Sequence, residues 1–128
     1  MKFDKKVLIC VDEDIMLTAL KFRLEKQGFE VVHVRNMQEA ETAILKDNFN
    51  LIIADLMMKG NSAVDLAKWA REKNSGKPVP FLVMATLEDD VEILEEALNN
   101  GAGDFIMKPF KPVELYFRIH RIVPDLGI

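Results

Sequence analysis

Leu51-Ile52-Ile53-Ala54-Asp55-Leu56-Met57-Met58 is the stretch that decides how this chain folds. Its first four residues are apolar and run straight into a carboxylate. A run that short and uniform reads as a strand buried on both faces, the pattern of a parallel sheet covered by helices. Such a strand delivers Asp55 to its carboxyl end, where an open α/β sheet places its ligand crevice. Asp55 is therefore the candidate reacting group. The plainer alternative is an Asp that caps the next helix or opens a turn.

Away from that strand the chain alternates. Val7-Leu8-Ile9-Cys10-Val11 is another apolar run of strand length, with Asp12-Glu13-Asp14 at its end. Over 15–27, Met16, Leu20 and Leu24 recur at helical spacing, and Gly28 is placed to stop the helix. Glu30 to Val34 is β-rich. Asn36 with Glu39 makes a capping box for a helix on Ala40, Ala43 and Ile44 that ends near Asp47-Asn48. Beyond Asp55 the pattern predicts a loop through Gly60, Asn61 and Ser62. A third helix follows, with Leu66, Ala67 and Ala70 inward and Lys68 and Arg71 outward.

Asn74 to Pro78 reads as a turn, and Pro80 to Ala85 as a buried strand ending at Thr86. Glu88, Asp89 and Asp90 suit the N-terminus of a fourth helix, a solvated start, with Ile93, Leu94, Ala97 and Leu98 inward and Gly101 and Gly103 closing it. Asp104 to Met107 predicts a short edge strand ending at Lys108-Pro109. A last helix spans 112–122 on Leu115, Ile119 and Ile122, with Pro112 tolerated in its first turn.

Five strand–helix units of this length require parallel strands joined by right-handed crossovers. The predicted fold is α/β: one domain over 1–128, a doubly wound five-stranded parallel sheet of flavodoxin-like (β/α)5 type in the order 2-1-3-4-5. With 128 residues, 49% of them hydrophobic, there is material for one core and not two. The net charge of −4 excludes an overall basic surface, so no nucleic-acid partner is expected. A single cysteine, Cys10, excludes an internal disulfide and a cysteine metal cluster, and its apolar setting reads as a buried structural thiol. The apolar run after the N-terminal lysines stops at Asp12, too short for a signal peptide or a membrane span, so a cytoplasmic location is expected.

The strand ends carry the chemistry. Asp12 and Glu13 follow strand one, Asp55 strand three, Thr86 strand four and Lys108 strand five. Carboxylates that close repel, each near pair costing roughly 4 kcal/mol at an effective dielectric of about 20, so a counter-cation is expected. An all-oxygen set suits Mg²⁺, which also keeps waters. Lys108 adds a positive charge and Thr86 a hydroxyl donor. Around one ionised carboxylate, that set suits phosphoryl transfer to the carboxylate itself, with no general base needed.

In order and spacing these features resemble the receiver domain of two-component response regulators, over essentially the whole chain. The motifs are the acidic group after Leu8-Ile9-Cys10-Val11, then Asp55-Leu56-Met57-Met58, Val83-Met84-Ala85-Thr86, and Gly101-Ala102-Gly103-Asp104-Phe105-Ile106-Met107-Lys108-Pro109-Phe110. Together they are specific, while any one alone is weak. The resemblance implies that Asp55 accepts a phosphoryl group from a histidine kinase or histidine phosphotransfer protein, so that the chain is a signalling domain rather than an enzyme with turnover. It implies Mg²⁺ held by Asp12, Asp55 and the backbone carbonyl of Met57, with Glu13 as a further ligand if it reaches in. Thr86 and Lys108 would contact phosphoryl oxygens, and the Lys108–Pro109 peptide is often cis in the family. Phe105 would be the switch aromatic, turning inward as Thr86 moves. The surface of helix four, strand five and helix five would then change and meet a downstream target or a second copy.

This sequence departs from the family in several places. Matching Leu17 to Gly28 without gaps puts Asp12 on the second acidic position and Val11 on the first, whereas a loop one residue shorter makes Asp12-Glu13 the pair. In the ungapped register one carboxylate is lost and Mg²⁺ binds more weakly. Lys59 stands where Pro is usual, Ser62-Ala63 where Asp-Gly is common, and Leu87 where a small residue is usual, which would narrow access to the phosphoryl group.

Rival readings use the same residues. A haloacid-dehalogenase-like phosphatase would take Asp12-Glu13-Asp14 as its nucleophile motif, but Met16 breaks that pattern, no later acidic pair appears, and there is no room for a cap. A flavodoxin-like nucleotide binder would need a glycine- or hydroxyl-rich loop where this chain has three acidic residues. A non-phosphorylated pseudo-receiver used only for protein contacts stays open, as does the choice between a stand-alone receiver and a piece of a longer regulator or hybrid kinase. His33 and His120 lie far apart in the chain, each without an obvious ligand partner. Trp69 reads as helix packing, and Met57, Met58, Met84 and Met107 as core filling near the strand ends.

Overall fold

The strand that opened the sequence reading lies at the centre of the sheet, as its apolar composition requires. A computed structural model describes residues 5–12, 14–73 and 78–126. Its strands are β1 (Lys5–Cys10), β2 (Phe29–Val34), β3 (Leu51–Asp55), β4 (Phe81–Ala85) and β5 (Asp104–Met107). Between and after them come α1 (Asp14–Lys26), α2 (Met37–Lys46), α3 (Ala63–Lys73), α4 (Val91–Asn99) and α5 (Pro112–Ile122). The strands form one sheet in the order β2-β1-β3-β4-β5, and every pairing is parallel. That is the predicted doubly wound order, with β5 at an edge.

Alternation along each strand divides the core in two. Leu8, Cys10, Ile52, Ala54 and Val83 pack with Ala40 and Ile44 of α2, five buried residues of α3 and Ala97 of α4. Val7, Ile9, Leu51, Ile53, Leu82, Met84 and Ile106 pack with Leu20 and Leu24 of α1 and Leu115 and Ile119 of α5. All five residues of β3 are buried. Each fully buried Leu or Ile contributes about 1.5–3 kcal/mol relative to an exposed one, so β3 anchors both halves of the core.

The termini of the elements follow local chemistry, with three differences from expectation. Gly28, at φ +94°, ends α1 in a conformation that Cβ-bearing residues rarely adopt. The Asn36 carboxamide accepts the Glu39 N–H at 2.9 Å, but the Glu39 carboxylate reaches the N–H of Arg35 rather than that of Asn36, so the box is displaced by one residue. The stretch predicted as a loop through Asn61 and Ser62 is the return arm of a small hairpin. Met57 pairs with Ser62 and Met58 with Asn61, around a turn whose Gly60 has φ +80°. Nor is the acidic start of α4 merely solvated. Asp90 caps it through the Glu92 N–H, while Asp89 folds back onto the Thr86 N–H at 2.8 Å. Of the turn predicted at 74–78, residues 74–77 lie outside the described residues.

Candidate functional site at the carboxyl edge of the sheet

Register and alternation together bring the site residues to one place. Cys10 lies opposite Ala54, so Val11 is carried alongside Asp55, and Asp55 in turn lies opposite Met84, which pairs with Ile106. Counting two residues on from that row reaches Thr86 and Lys108. Asp55, Thr86 and Lys108 thus share the parity of Ile53, Met84 and Ile106, the face covered by α1 and α5.

Lys108 crosses the end of β4 to meet Asp55, its Nζ 2.8 Å from Oδ1. The two side chains are only 14% and 10% exposed, so this is a charge pair sheltered from water. The backbone supports it. Lys108 N–H donates to the Ala85 carbonyl at 2.7 Å and Leu56 N–H to the Met84 carbonyl at 2.8 Å, extending the ladders past the formal strand ends. The Lys108–Pro109 peptide is cis, as the family resemblance implied. Thr86 is half-buried at the same edge, its backbone held by Asp89. Sequence reading missed Asp89 as a support, although Thr86-Leu87-Glu88-Asp89 has the Thr-x-x-Asp spacing by which an acidic side chain reaches back to a backbone N–H.

The acidic side is thinner than expected. Val11 is fully buried and supplies no carboxylate. Asp12 follows it, exposed, and Glu13 lies outside the described residues. Among the described residues no three acidic, His or Cys side chains gather as a metal cluster, so the expectation of three crowded carboxylates is not met by them. Part of the compensation comes from within the protein, because Lys108 already neutralises Asp55.

The ligands that the resemblance implies among the described residues are all hard oxygens: the carboxylates of Asp55 and Asp12 and the carbonyl of Met57, with water to complete a shell. That set fits Mg²⁺ and not a softer ion. Cys10, a soft donor, belongs to the α2–α3–α4 half of the core, on the other side of the sheet from the Asp55 side chain. Its thiol is buried 3.1 Å from the Met58 sulfur, and burial, reinforced by the negative charges of Asp55 and Glu39, pushes its pKa up to about 12.

The other singled-out residues separate clearly. Phe105 is half-buried against the α2–α3–α4 side of the core, and the Arg118 guanidinium lies 5.4 Å from its ring centroid. Arg118 also pairs with the buried Asp104 at 3.1 Å, with Arg121 at 3.7 Å from the other oxygen. Leu87 is 88% exposed, so its side chain stands in solvent and covers nothing. Met57 is 47% exposed and is not core, unlike Met58 and Met84. Trp69 packs half-buried with Lys73 over its ring. His120 is exposed, whereas His33 does have a partner, the Val11 carbonyl. Among the described residues no helix is long and apolar enough to cross a membrane.

The sequence profile of the response regulator receiver domain matches residues 7–120. The transcriptional regulatory protein SrrA of Staphylococcus aureus is 32% identical over 118 residues, covering 92% of this chain and 47% of SrrA. The chain therefore spans about half the length of that curated relative. Among solved structures, the signal receiver domain of a signal transduction histidine kinase from Syntrophus aciditrophicus is 30% identical with a TM-score of 0.82, covering 95% of this chain and 92% of that one. The chemotaxis protein CheY4 of Vibrio cholerae is 28% identical with a TM-score of 0.84, covering 93% and 98%.

Proposed function

The chain belongs to the response regulator receiver family, and on that premise we propose that it is a phosphoacceptor signalling domain whose reacting group is Asp55. The observation that carries this reading is the sheltered Asp55–Lys108 pair at the sheet's carboxyl edge, with Thr86 beside it. A carboxylate oxygen of Asp55 attacks the phosphorus of a phosphohistidine in line. The new O–P bond forms as the P–N bond breaks, and the imidazole leaves with the electron pair. Lys108 then meets added negative charge on the phosphoryl group, and the Thr86 hydroxyl donates to one of its oxygens. Asp12, Asp55 and the Met57 carbonyl would hold Mg²⁺, which supplies charge neutralisation between the carboxylate and the incoming phosphoryl oxygens.

The donor is a histidine kinase or a histidine phosphotransfer protein, a partner that places the chain in the cytoplasm. The modified chain is a phosphoprotein intermediate and not a turnover enzyme. Readout runs through Phe105 and the α4–β5–α5 surface to a downstream protein or a second copy. The half-buried Phe105 on an edge strand supports that route, because an edge position leaves its ring room to turn.

A specific observation keeps one second reading in play. Val11 in place of a carboxylate favours a pseudo-receiver that binds partners without phosphorylation. Intact-mass measurement after treatment with acetyl phosphate and Mg²⁺ separates the two. One phosphoryl adduct, absent from Asp55→Asn, is the expected result; no adduct on the wild-type chain supports the pseudo-receiver.

A further inference from the structure

We propose that His33 and Arg35 are positioning residues that lock the backbone on either side of Asp12 and so aim its carboxylate at the metal position. The inference rests on the phosphoacceptor reading and adds to it two side chains from β2 and the turn after it.

Three contacts hold this corner of the sheet. Val11 N–H donates to the Val34 carbonyl at 3.1 Å, carrying the β1–β2 ladder one residue past its last pair, Cys10 with Val34. The His33 ring nitrogen Nε2 lies 3.0 Å from the Val11 carbonyl. A carbonyl only accepts, so that nitrogen carries the proton. Arg35 Nη1 donates to the Asp12 carbonyl at 3.4 Å. Arg35 is itself anchored, since its backbone N–H is held by Glu39 at 2.9 Å, within the cap that starts α2.

The consequence follows from peptide planarity. The Val11 carbonyl belongs to the plane preceding the Asp12 Cα, and the Asp12 carbonyl to the plane following it. Holding both carbonyls restrains φ and ψ of Asp12, and with them the direction of its Cβ, from which the carboxylate extends. His33 shares the parity of Phe29 and Val31, so it reaches Val11 from the α1–α5 face, the face on which Asp55 lies. Because Val11 offers no carboxylate, the pocket depends more heavily on Asp12, and a ligand aimed in advance loses less freedom when the ion arrives.

Arg35 makes the idea testable by sign. Its positive charge near a cation site would by itself weaken Mg²⁺ binding, so if charge dominates, Arg35→Met tightens binding. If the clamp dominates, Arg35→Met weakens it. Mg²⁺ affinity of the full 128-residue chain is measured by isothermal titration at fixed pH. We expect Arg35→Met and His33→Ala each to raise the dissociation constant by about tenfold, the low end for outer-shell supports, with recovery in His33→Gln, which keeps a donor.

A second readout needs no metal. The Asp12 amide order parameter should fall from about 0.85 in the metal-free wild type to below about 0.6 in the double variant. Tighter or unchanged Mg²⁺ binding in Arg35→Met, or an Asp12 amide equally rigid in the double variant, overturns the proposal. A wild-type chain that takes up no Mg²⁺ overturns the metal-binding part of the phosphoacceptor reading and the purpose assigned to the clamp, while the amide measurement still decides whether the clamp exists.

Discussion

Replacing Lys108 with Met tests the centre of the site. Its Nζ lies 2.8 Å from Asp55 Oδ1, with both side chains nearly withdrawn from water. At that separation and an effective dielectric of about 20, the gross attraction is about 6 kcal/mol. Desolvation of both groups offsets much of it, so the useful quantity is the cost of leaving one charge behind, about 3–5 kcal/mol for a buried pair. Because water still touches both groups, the low end applies, near 3 kcal/mol. With about 2.1 cal/mol/K of unfolding entropy per residue, a chain of 128 residues would lose about 11 °C in Tm.

The assay is a double-mutant cycle with Asp55→Asn, read by urea unfolding at pH 7. The two single losses should exceed the loss of the double variant by about 2 kcal/mol, since removing both partners strands no charge. A coupling below about 0.5 kcal/mol would refute the claim that this pair is a sheltered electrostatic unit.

Three other perturbations probe the surroundings. Arg118→Ala removes the cation above Phe105 and a partner of the buried Asp104; urea unfolding should show a loss of about 1–2 kcal/mol, and the Phe105 ring resonances should broaden or shift. Cys10 should resist iodoacetamide at pH 8 in the native chain. Its thiol titrates near 9.0 when unfolded and near 12 when folded, so the unfolded chain loses the proton first. Stability should therefore fall by about 1.4 kcal/mol per pH unit between those values, a slope that Cys10→Ala lacks when urea midpoints are compared. Asn36→Ala removes the acceptor for the Glu39 N–H and should cost about 1 kcal/mol in the same measurement, with Asn36→Asp close to wild type.

What the sequence made legible was whatever repeats along a strand or helix. The uniform apolar run before Asp55 specified a central strand, and the spacing of Leu20 with Leu24 and of Leu115 with Ile119 specified which helix faces turn inward. Asp55, Thr86 and Lys108 were legible for the same reason, each standing at the end of such a run. The contacts made by single residues across loops were not. A ladder of two residues per arm at Met57–Met58 is too short to show a period, and the displacement of the Glu39 bond to Arg35 is a difference of one peptide unit. His33 has the composition of an ordinary strand residue, and only the register of β2 against β1 brings its ring to the Val11 carbonyl.

That contrast bears on how the site is built. Asp55 ends β3, and Lys108 follows β5 with its N–H still in the ladder to Ala85, so a slip of one residue in β5 would swing Lys108 off the site face and drive Ile106 out of its half of the core. The cost of that slip is borne by the core, so the register itself keeps Asp55 and Lys108 together. Asp12 has no such protection, for it stands past the end of β1 where the ladder contributes only the Val11 N–H bond. In the proposed clamp, side chains of β2 and the turn after it hold that position instead. The sheet edge therefore contains two kinds of residue: those placed by the register of the core, such as Asp55, and those held by local hydrogen bonds, such as Asp12, where the proposed clamp predicts that a change on β2, two strands from Asp55, alters Mg²⁺ binding while the fold stays intact.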